Sequence, residues 1–463
     1  MRKFDVITIG SGGGAKISSP AASMGLKIAV IEKDSLGGTC LNRGCIPSKM
    51  LIHPADVAIE IKEAHRFDIH NDPKFSVNFA KLIERISQTV DGDSSKIEKS
   101  YSTHPNITLF KGTAKFLENK VIEINNEQIT AEKIFIAVGT RPTIPHIPGL
   151  AGTPYMTSTE ALRNTTLPAS MIIIGGGYIG CELGHAYGAL GTKTTFLVRS
   201  KLLRAQDAEV ADEFQKVFSK YHDVRLGAVP AKVEYSNNTF TVHYAQDGKN
   251  ASVSAEALLI ATGITSNADT LDLINTDIGL KPGNYIKVND HLETDVAGIW
   301  SLGDCIGKYF FRHSVNFEGE YLFDHIFGGK SRSPIHYPPM PHAVFTHPQV
   351  AGVGATEEEL KAQGIDYAVG LNPYKSSAMG MALLSDHGFC KILVDRKSRK
   401  ILGGHIVGPE ASDMIHMVIA YMNMNAMLDD MLRTIYIHPA LPEIVRNAAR
   451  KAKTALEKNV VRV

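Results

Sequence analysis

The sequence predicts an α/β protein with two Rossmann-like dinucleotide-binding units, followed by a C-terminal segment of mixed strands and helices. Three observations predict it. Glycine-rich turns at Gly10–Ala15 and Gly175–Gly180 each stand between an apolar β-rich run and a helical stretch. After each, the chain returns to a strand that ends beside a second glycine turn, Ala137-Val138-Gly139 and Ala261-Thr262-Gly263. Beyond residue 339 this alternation stops and separate strands and a Met-rich helical stretch take over. A length of 463 residues leaves room for about three domains at ~150 residues each.

The first unit begins with Phe4-Asp5-Val6-Ile7-Thr8-Ile9, a strand that feeds Gly10, Gly12 and Ala15, then a helical stretch to Met24 and a strand from Lys27 to Glu32. Glycines here permit a tight turn and close approach of a pyrophosphate to a helix N-terminus, and an acid about 20 residues on can hold a ribose hydroxyl. Glu32 is that acid. Ser18, Ser19 and Pro20 make this an unusual crossover helix.

Next comes Gly37-Gly38-Thr39-Cys40-Leu41-Asn42-Arg43-Gly44-Cys45-Ile46-Pro47-Ser48-Lys49. Five residues of ideal helix rise roughly 7.5 Å, beyond the ~7 Å at which two Cα atoms can be bridged, so a Cys40–Cys45 disulfide needs a break in the helix. Gly44 permits the break, and Pro47 suits the first turn of the helix that carries Lys49. A small ring of this kind is more readily reduced than a structural bridge, so the pair reads as a redox dithiol; two unrelated buried thiols are the alternative. Residues 48–64 and 81–101 carry helical patterning, and 107–138 alternates short β-rich runs with turns. Pro142, Pro145 and Pro148 then punctuate a crossover, so the first part of the first domain is placed at 1–148.

The second unit, placed at 149–266, runs from Ile172-Ile173-Ile174 through Gly175, Gly177 and Gly180 into a helix with Tyr178, Ile179 and Glu182. Its next strand ends at Val198, where an NAD-binding unit carries an acid, and is followed by Arg199 and Arg204. Guanidinium groups pair with a ribose 2′-phosphate that an acid repels, so the expected cofactor is NADPH rather than NADH; a solvated basic loop is the alternative. Residues 267–338 are placed as the return to the first domain, with Asp304 at a strand end after Ile299-Trp300-Ser301. By itself Asp304 also reads as a helix cap.

Residues 339–463 form the last domain, with strands expected at 343–345, 390–395 and 401–407 and a helical stretch from Ser412 to Leu428. Methionines at helical spacing there read as core or subunit interface. In Tyr436-Ile437-His438-Pro439-Ala440-Leu441-Pro442-Glu443 two prolines fix a turn that can hold His438 and Glu443 as a pair, a general acid-base arrangement when combined with a dithiol.

Composition excludes several classes. With 49 basic and 48 acidic residues and a net charge of +1, there is no electrostatic footprint for nucleic acid or an anionic membrane. Apolar runs are interrupted well short of the ~20 residues that span a bilayer, and the N-terminus enters a strand at once, so a cytoplasmic protein is expected. Five cysteines are too few for a disulfide scaffold, and Cys181, Cys305 and Cys390 stand singly, which leaves no ligand spacing for a metal.

From Phe4 to Glu443 the order of these segments resembles the flavin-dependent pyridine nucleotide-disulfide oxidoreductases, and GGTCLNRGCIPSK resembles their redox segment. The resemblance implies FAD in the first site, held through Gly38, Thr39, Gly139 and Asp304, a nicotinamide nucleotide in the second, reaching to Gly263, and a C-terminal dimerisation domain in a homodimer. It implies that Cys45 faces the flavin, that Cys40 exchanges with substrate, that Lys49 pairs with Glu182, and that Tyr178 gates the nicotinamide pocket. His438 would move the proton, with Glu443 fixing its tautomer. The redox segment is most like dihydrolipoamide dehydrogenase, whereas Arg199 and Arg204 resemble the NADPH-using reductases, and Leu202-Leu203-Arg204 and the segment from Tyr436 to Glu443 resemble mycothione reductase. The expected function is NADPH-dependent reduction of a small disulfide. NAD-dependent dihydrolipoamide dehydrogenase is the alternative, as are a disulfide-independent quinone reductase or oxidase and, from another class, a non-catalytic flavoprotein subunit of a complex.

Overall fold

A computed structural model describes residues 1–70, 75–329 and 333–458. The first sheet is parallel at its centre, where Arg2–Ile9 lies between Ile28–Glu32 and Glu127–Ile136, and Ile107–Lys111 extends the Ile28–Glu32 side. The strand Ile299–Ser301 pairs in parallel with Ile134–Ile136, so a segment distant in sequence completes this sheet. The strand Ile28–Glu32 is buried along its whole length, as its unbroken apolar run Ile28-Ala29-Val30-Ile31 requires. The helix Ala15–Ser23 contains Pro20, and the hydroxyls of Ser18 and Ser19 both lie 3.1 Å from the Tyr101 hydroxyl.

A second parallel sheet orders Asp223–Leu226, Lys193–Val198, Ser170–Ile174 and Ala257–Ile260. Beside it stands an antiparallel sheet of Val229–Ser236, Thr239–Gln246 and Lys249–Ala255, which the sequence reading did not separate. Its tight turns sit at Asn237-Asn238 and Asp247-Gly248, all with positive φ. The two glycine loops are built alike. A Cβ on Gly10 would lie 2.3 Å from the Ala137 carbonyl oxygen, and one on Gly175 would lie 2.2 Å from that of Ala261. Each loop therefore packs its first glycine against the end of the neighbouring strand, and no larger residue fits.

The C-terminal part is a five-stranded antiparallel sheet backed by the helices Ala411–Asn423 and Pro442–Glu457. The helix expected over 412–428 stops at Asn423, and a second one starts at Leu428. Asn425, with φ 52°, makes the left-handed turn between them, a role asparagine fills at helix ends. Among the described residues, no helix is long and apolar enough to cross a membrane.

The second parallel sheet's unit is pinned to the C-terminal sheet by a buried ion cluster. Lys391, fully buried in the strand Phe389–Asp395, binds both carboxylate oxygens of Asp207 at 2.9 Å, as well as Glu209 at 2.8 Å and Glu357. A charge removed from water is tolerated only with such compensation, so this cluster fixes the residues next to Asp207.

Candidate active site

One large cleft, about 1970 Å³, runs where the two parallel-sheet units and the C-terminal sheet meet. Gly10, Gly12 and Glu32 of the first unit line it, as do Tyr178, Ile179 and Glu182 of the second. Cys40, Cys45 and Lys49 lie in the same cleft.

The dithiol is positioned by a broken helix. Cys40 sits on Gly38–Arg43 and Cys45 opens Cys45–Glu63, with Gly44 between them. A Cβ on Gly44 would come within 2.9 Å of the Thr39 carbonyl oxygen, so the backbone can fold back this tightly only at glycine. At Gly38, φ is +67° and an added Cβ would lie 2.6 Å from Gly12 Cα, which brings the redox segment against the first glycine loop. Both thiols are free and share a hydrogen bond. That bond, assisted by the Lys49 charge, pulls the Cys45 thiol down to about 7, while the same bond and burial push Cys40 well above the usual thiol range. Of the reduced pair, Cys45 is therefore the thiol that ionises first.

Lys49 Nζ is 2.7 Å from Glu182 Oε2, across 133 residues of sequence, and lies 4.3 Å from the centre of the Phe345 ring. The other Glu182 oxygen accepts the Phe345 N–H at 3.1 Å. These contacts join the redox helix, the second glycine-loop helix and the C-terminal sheet around a single ammonium group. The charge on Cys45 predicts a pH dependence. Alkylation of the reduced protein by iodoacetamide should rise with pH about a midpoint near 7, because the thiolate is the nucleophile. Lys49→Met removes a charge that favours the thiolate, so the midpoint should move up and alkylation at pH 7 should slow; an unmoved midpoint would show that Lys49 does not set it.

Residues 4–319 match the family described as pyridine nucleotide-disulphide oxidoreductase, and residues 340–449 match that family's dimerisation domain. The chain belongs to the pyridine nucleotide-disulphide oxidoreductases. It is 32% identical to mycothione reductase of Mycobacterium tuberculosis, over 97% of this chain and 99% of the relative. It is also 32% identical to the mitochondrial dihydrolipoyl dehydrogenase 2 of Arabidopsis thaliana, over 96% and 89%. Among solved structures it resembles a Cu(II) complex of the HOCl-induced flavoprotein disulfide reductase RclA from Escherichia coli. For that pair the TM-score is 0.87 and the identity 28%, over 97% of this chain and 99% of the other. The protein is a flavin-dependent NAD(P)H:disulfide oxidoreductase.

The residues of this oxidoreductase fit a flavin nucleotide. Glu32 is fixed by the Ser11 N–H at 2.9 Å and the Ser11 hydroxyl at 2.7 Å on one oxygen, and by the Asp34 N–H at 3.0 Å on the other. Gly139 lines the cleft with φ +63° and open space where a Cβ would stand. Asp304 also lines it; burial pushes its carboxyl above the usual range, and the Thr140 hydroxyl donates to it at 3.1 Å. Asp304 faces Thr140 and makes no side-chain cap at the turn it begins. Gly177 and Gly263 are not in the cleft lining, though each has open space at the Cβ position.

Other expected residues lie away from the cleft lining. Ala15 begins the first helix, and Gly14, which the spacing did not mark, is the position with no room, since a Cβ there would lie 2.2 Å from the Gly10 carbonyl oxygen. Gly180 packs against Gly175, where a Cβ would stand 3.0 Å from its carbonyl oxygen. Arg199 and Arg204 are exposed on the loop after Val198, and Leu203, between them, donates its N–H to the Gly176 carbonyl at 2.8 Å. That bond folds the arginine-bearing loop back over the second glycine turn.

His438 and Glu443 are paired as expected, with Nδ1 at 3.0 and 3.1 Å from the two carboxylate oxygens. The His438 hydrogen bond, the Ala440 N–H and Arg446 hold the Glu443 carboxyl below its usual range. Within this chain, however, the pair is not in the cleft, and the His438 side chain is 70% exposed. Sequence reasoning also missed Phe345, His342, Gln206 and Arg312. Arg312 lines the cleft near Cys40, where its charge favours the Cys40 thiolate. None of the four carries a spacing signal, because each reaches the site only through long-range packing.

Proposed function

We propose that this enzyme is an NADPH-dependent reductase of a small disulfide, acting as a homodimer: NADPH + H⁺ + RSSR gives NADP⁺ + 2 RSH. The observation that carries the reading is the pair of exposed arginines on the loop after Val198, where no acid follows the strand and Leu203 holds the loop against the second glycine turn. A guanidinium contact to phosphate is a charge-assisted hydrogen bond worth about 1.5–3 kcal/mol, or one to two orders of magnitude in affinity.

Bound flavin supplies the chemistry that links hydride donation by nicotinamide to two-electron reduction of a disulfide. The chain's own residues do the rest. Glu32 takes a ribose hydroxyl and Asp304 the flavin's polyol chain. Lys49, fixed by Glu182, holds negative charge at Cys45 and disfavours its protonation. Cys40, whose thiol proton passes to His438, attacks the substrate disulfide, forming a mixed disulfide and releasing one thiolate. Cys45 then attacks Cys40, which closes the intramolecular disulfide and releases the second thiolate. His438, oriented by Glu443, gives protons to the departing thiolates. Its exposure outside its own cleft supports delivery from a neighbouring subunit, as does the match of residues 340–449 to a dimerisation domain. The division at 1–148, 149–266, 267–338 and 339–463 serves this scheme by placing dithiol and acid-base pair on different domains.

A turnover panel tests the reading: lipoamide, glutathione disulfide and mycothiol disulfide, each with NADPH and with NADH. We expect the highest kcat/KM with NADPH and a small thiol disulfide. Changing Arg199 and Arg204 together to neutral residues should raise the KM for NADPH by at least about tenfold and leave that for NADH little changed. Preference of the wild type for NADH with lipoamide would instead assign it as a dihydrolipoamide dehydrogenase.

A further inference from the structure

The hydroxyl of Tyr178 is tethered. It accepts a hydrogen bond from Gln206 Nε2 at 2.5 Å, and Gln206 Oε1 accepts one from His342 Nε2 at 2.6 Å. A single amide thus uses its donor and acceptor ends to tie a glycine-loop tyrosine to a histidine on the C-terminal sheet. The rings of His342 and Tyr178 also lie nearly parallel, 27° apart with centroids at 6.4 Å, and Phe311 sits similarly at 25° and 6.3 Å. Burial holds His342 down to about 4, so the imidazole is neutral and a simple hydrogen-bond partner at physiological pH.

The anchor is rigid. Gln206 is 6% exposed and donates its backbone N–H to Leu203 at 2.9 Å. Its neighbour Asp207 is fully buried and clamped by Lys391 through both oxygens. Tyr178, in contrast, is the first residue of its helix and follows Gly177, beside which there is open space. Within this set the amide is held by buried neighbours on its own segment, whereas the tyrosine stands at a helix start, only partly buried.

We propose that Gln206, backed by His342, is a positioning residue that latches Tyr178 in a closed position, so that entry of the nicotinamide ring requires release of the Gln206–Tyr178 hydrogen bond. The proposal rests on Tyr178 lying over the nicotinamide pocket. A ligand that binds only the unlatched form has its apparent affinity reduced by the fraction of protein in that form. Removing the latch should therefore tighten nicotinamide binding, by the several-fold that one hydrogen bond can bias.

The test is rapid reduction of the oxidised holoenzyme, from which the dissociation constants of NADPH and NADH are read. Gln206→Met, of similar length and without either hydrogen bond, should lower both constants by about 3- to 10-fold. Equal effects on the two nucleotides separate the latch from any disturbance of Arg204, which would act on NADPH alone. Tyr178→Phe should reproduce the effect, and the double variant should bind no more tightly than either single one, because both remove the same bond. If Tyr178→Ala tightens binding while Gln206→Met and Tyr178→Phe do not, the latch is wrong and the gate stands. If Tyr178→Ala also leaves both constants unchanged, Tyr178 does not cover the pocket, and the gate and the latch fall together.

Discussion

Replacing either Cys40 or Cys45 with serine is expected to lower disulfide turnover by about three orders of magnitude or more, since each removes a nucleophile from a two-step exchange. The two losses should differ spectroscopically. In Cys40→Ser the Lys49 ammonium and a hydroxyl donor at residue 40 remain beside Cys45, whose thiol already lies near 7, so a thiolate persists. A thiolate against bound flavin absorbs at long wavelength, and that band should be present in Cys40→Ser even as isolated. In Cys45→Ser the Cys40 thiol loses the Cys45 contact that raises it most but is still pushed up by burial, so the band should be missing at neutral pH. Observation of the band in Cys45→Ser and not in Cys40→Ser would exchange the two roles.

What the sequence made legible was local. Strand, glycine turn, helix and returning strand occupy some thirty consecutive residues, so both nucleotide units could be read from order alone, and Cys40, Gly44 and Cys45 needed only helix geometry. The His438–Glu443 pair was legible for the same reason, since Pro439 and Pro442 confine a span of five residues. Legibility fell where partners are far apart in sequence. The Lys49–Glu182 contact was expected only through the family resemblance, and nothing pointed to the Phe345 ring and N–H that complete its surroundings. Lys391 did leave a trace, as a lone charge in the apolar run Phe389-Cys390-Lys391-Ile392-Leu393-Val394. A buried strand carries such a charge only if it is compensated. The identity of the compensating groups, Asp207, Glu209 and Glu357, is a property of the packed fold. The end of the Met-rich helix was similarly marked by Asn425 but masked by the helical spacing of apolar residues on either side.

The proposed homodimer with a shared site makes the other large prediction. His438→Ala should reduce turnover by about two to four orders of magnitude, the usual range for removing a general acid-base group. Glu443 would be left without the partner that is the largest single cause of the lowering of its carboxyl. In one chain His438 stands outside the cleft that holds Cys40 and Cys45, flanked by Ile435 and Ile437 at 96% and 81% exposure. Two such isoleucines beside an oriented imidazole are suited to burial against a second copy of the chain. If each dithiol borrows the partner's His438, a heterodimer of Cys45→Ser with His438→Ala contains one site built from an intact dithiol and an intact histidine. Co-expression with two different affinity tags isolates that heterodimer, and it should recover about half of wild-type activity although either parent homodimer is nearly inactive. If the C-terminal segment instead served its own chain, both sites of the heterodimer would carry a defect. Purified heterodimers with no more activity than the parents would therefore rule out the shared site.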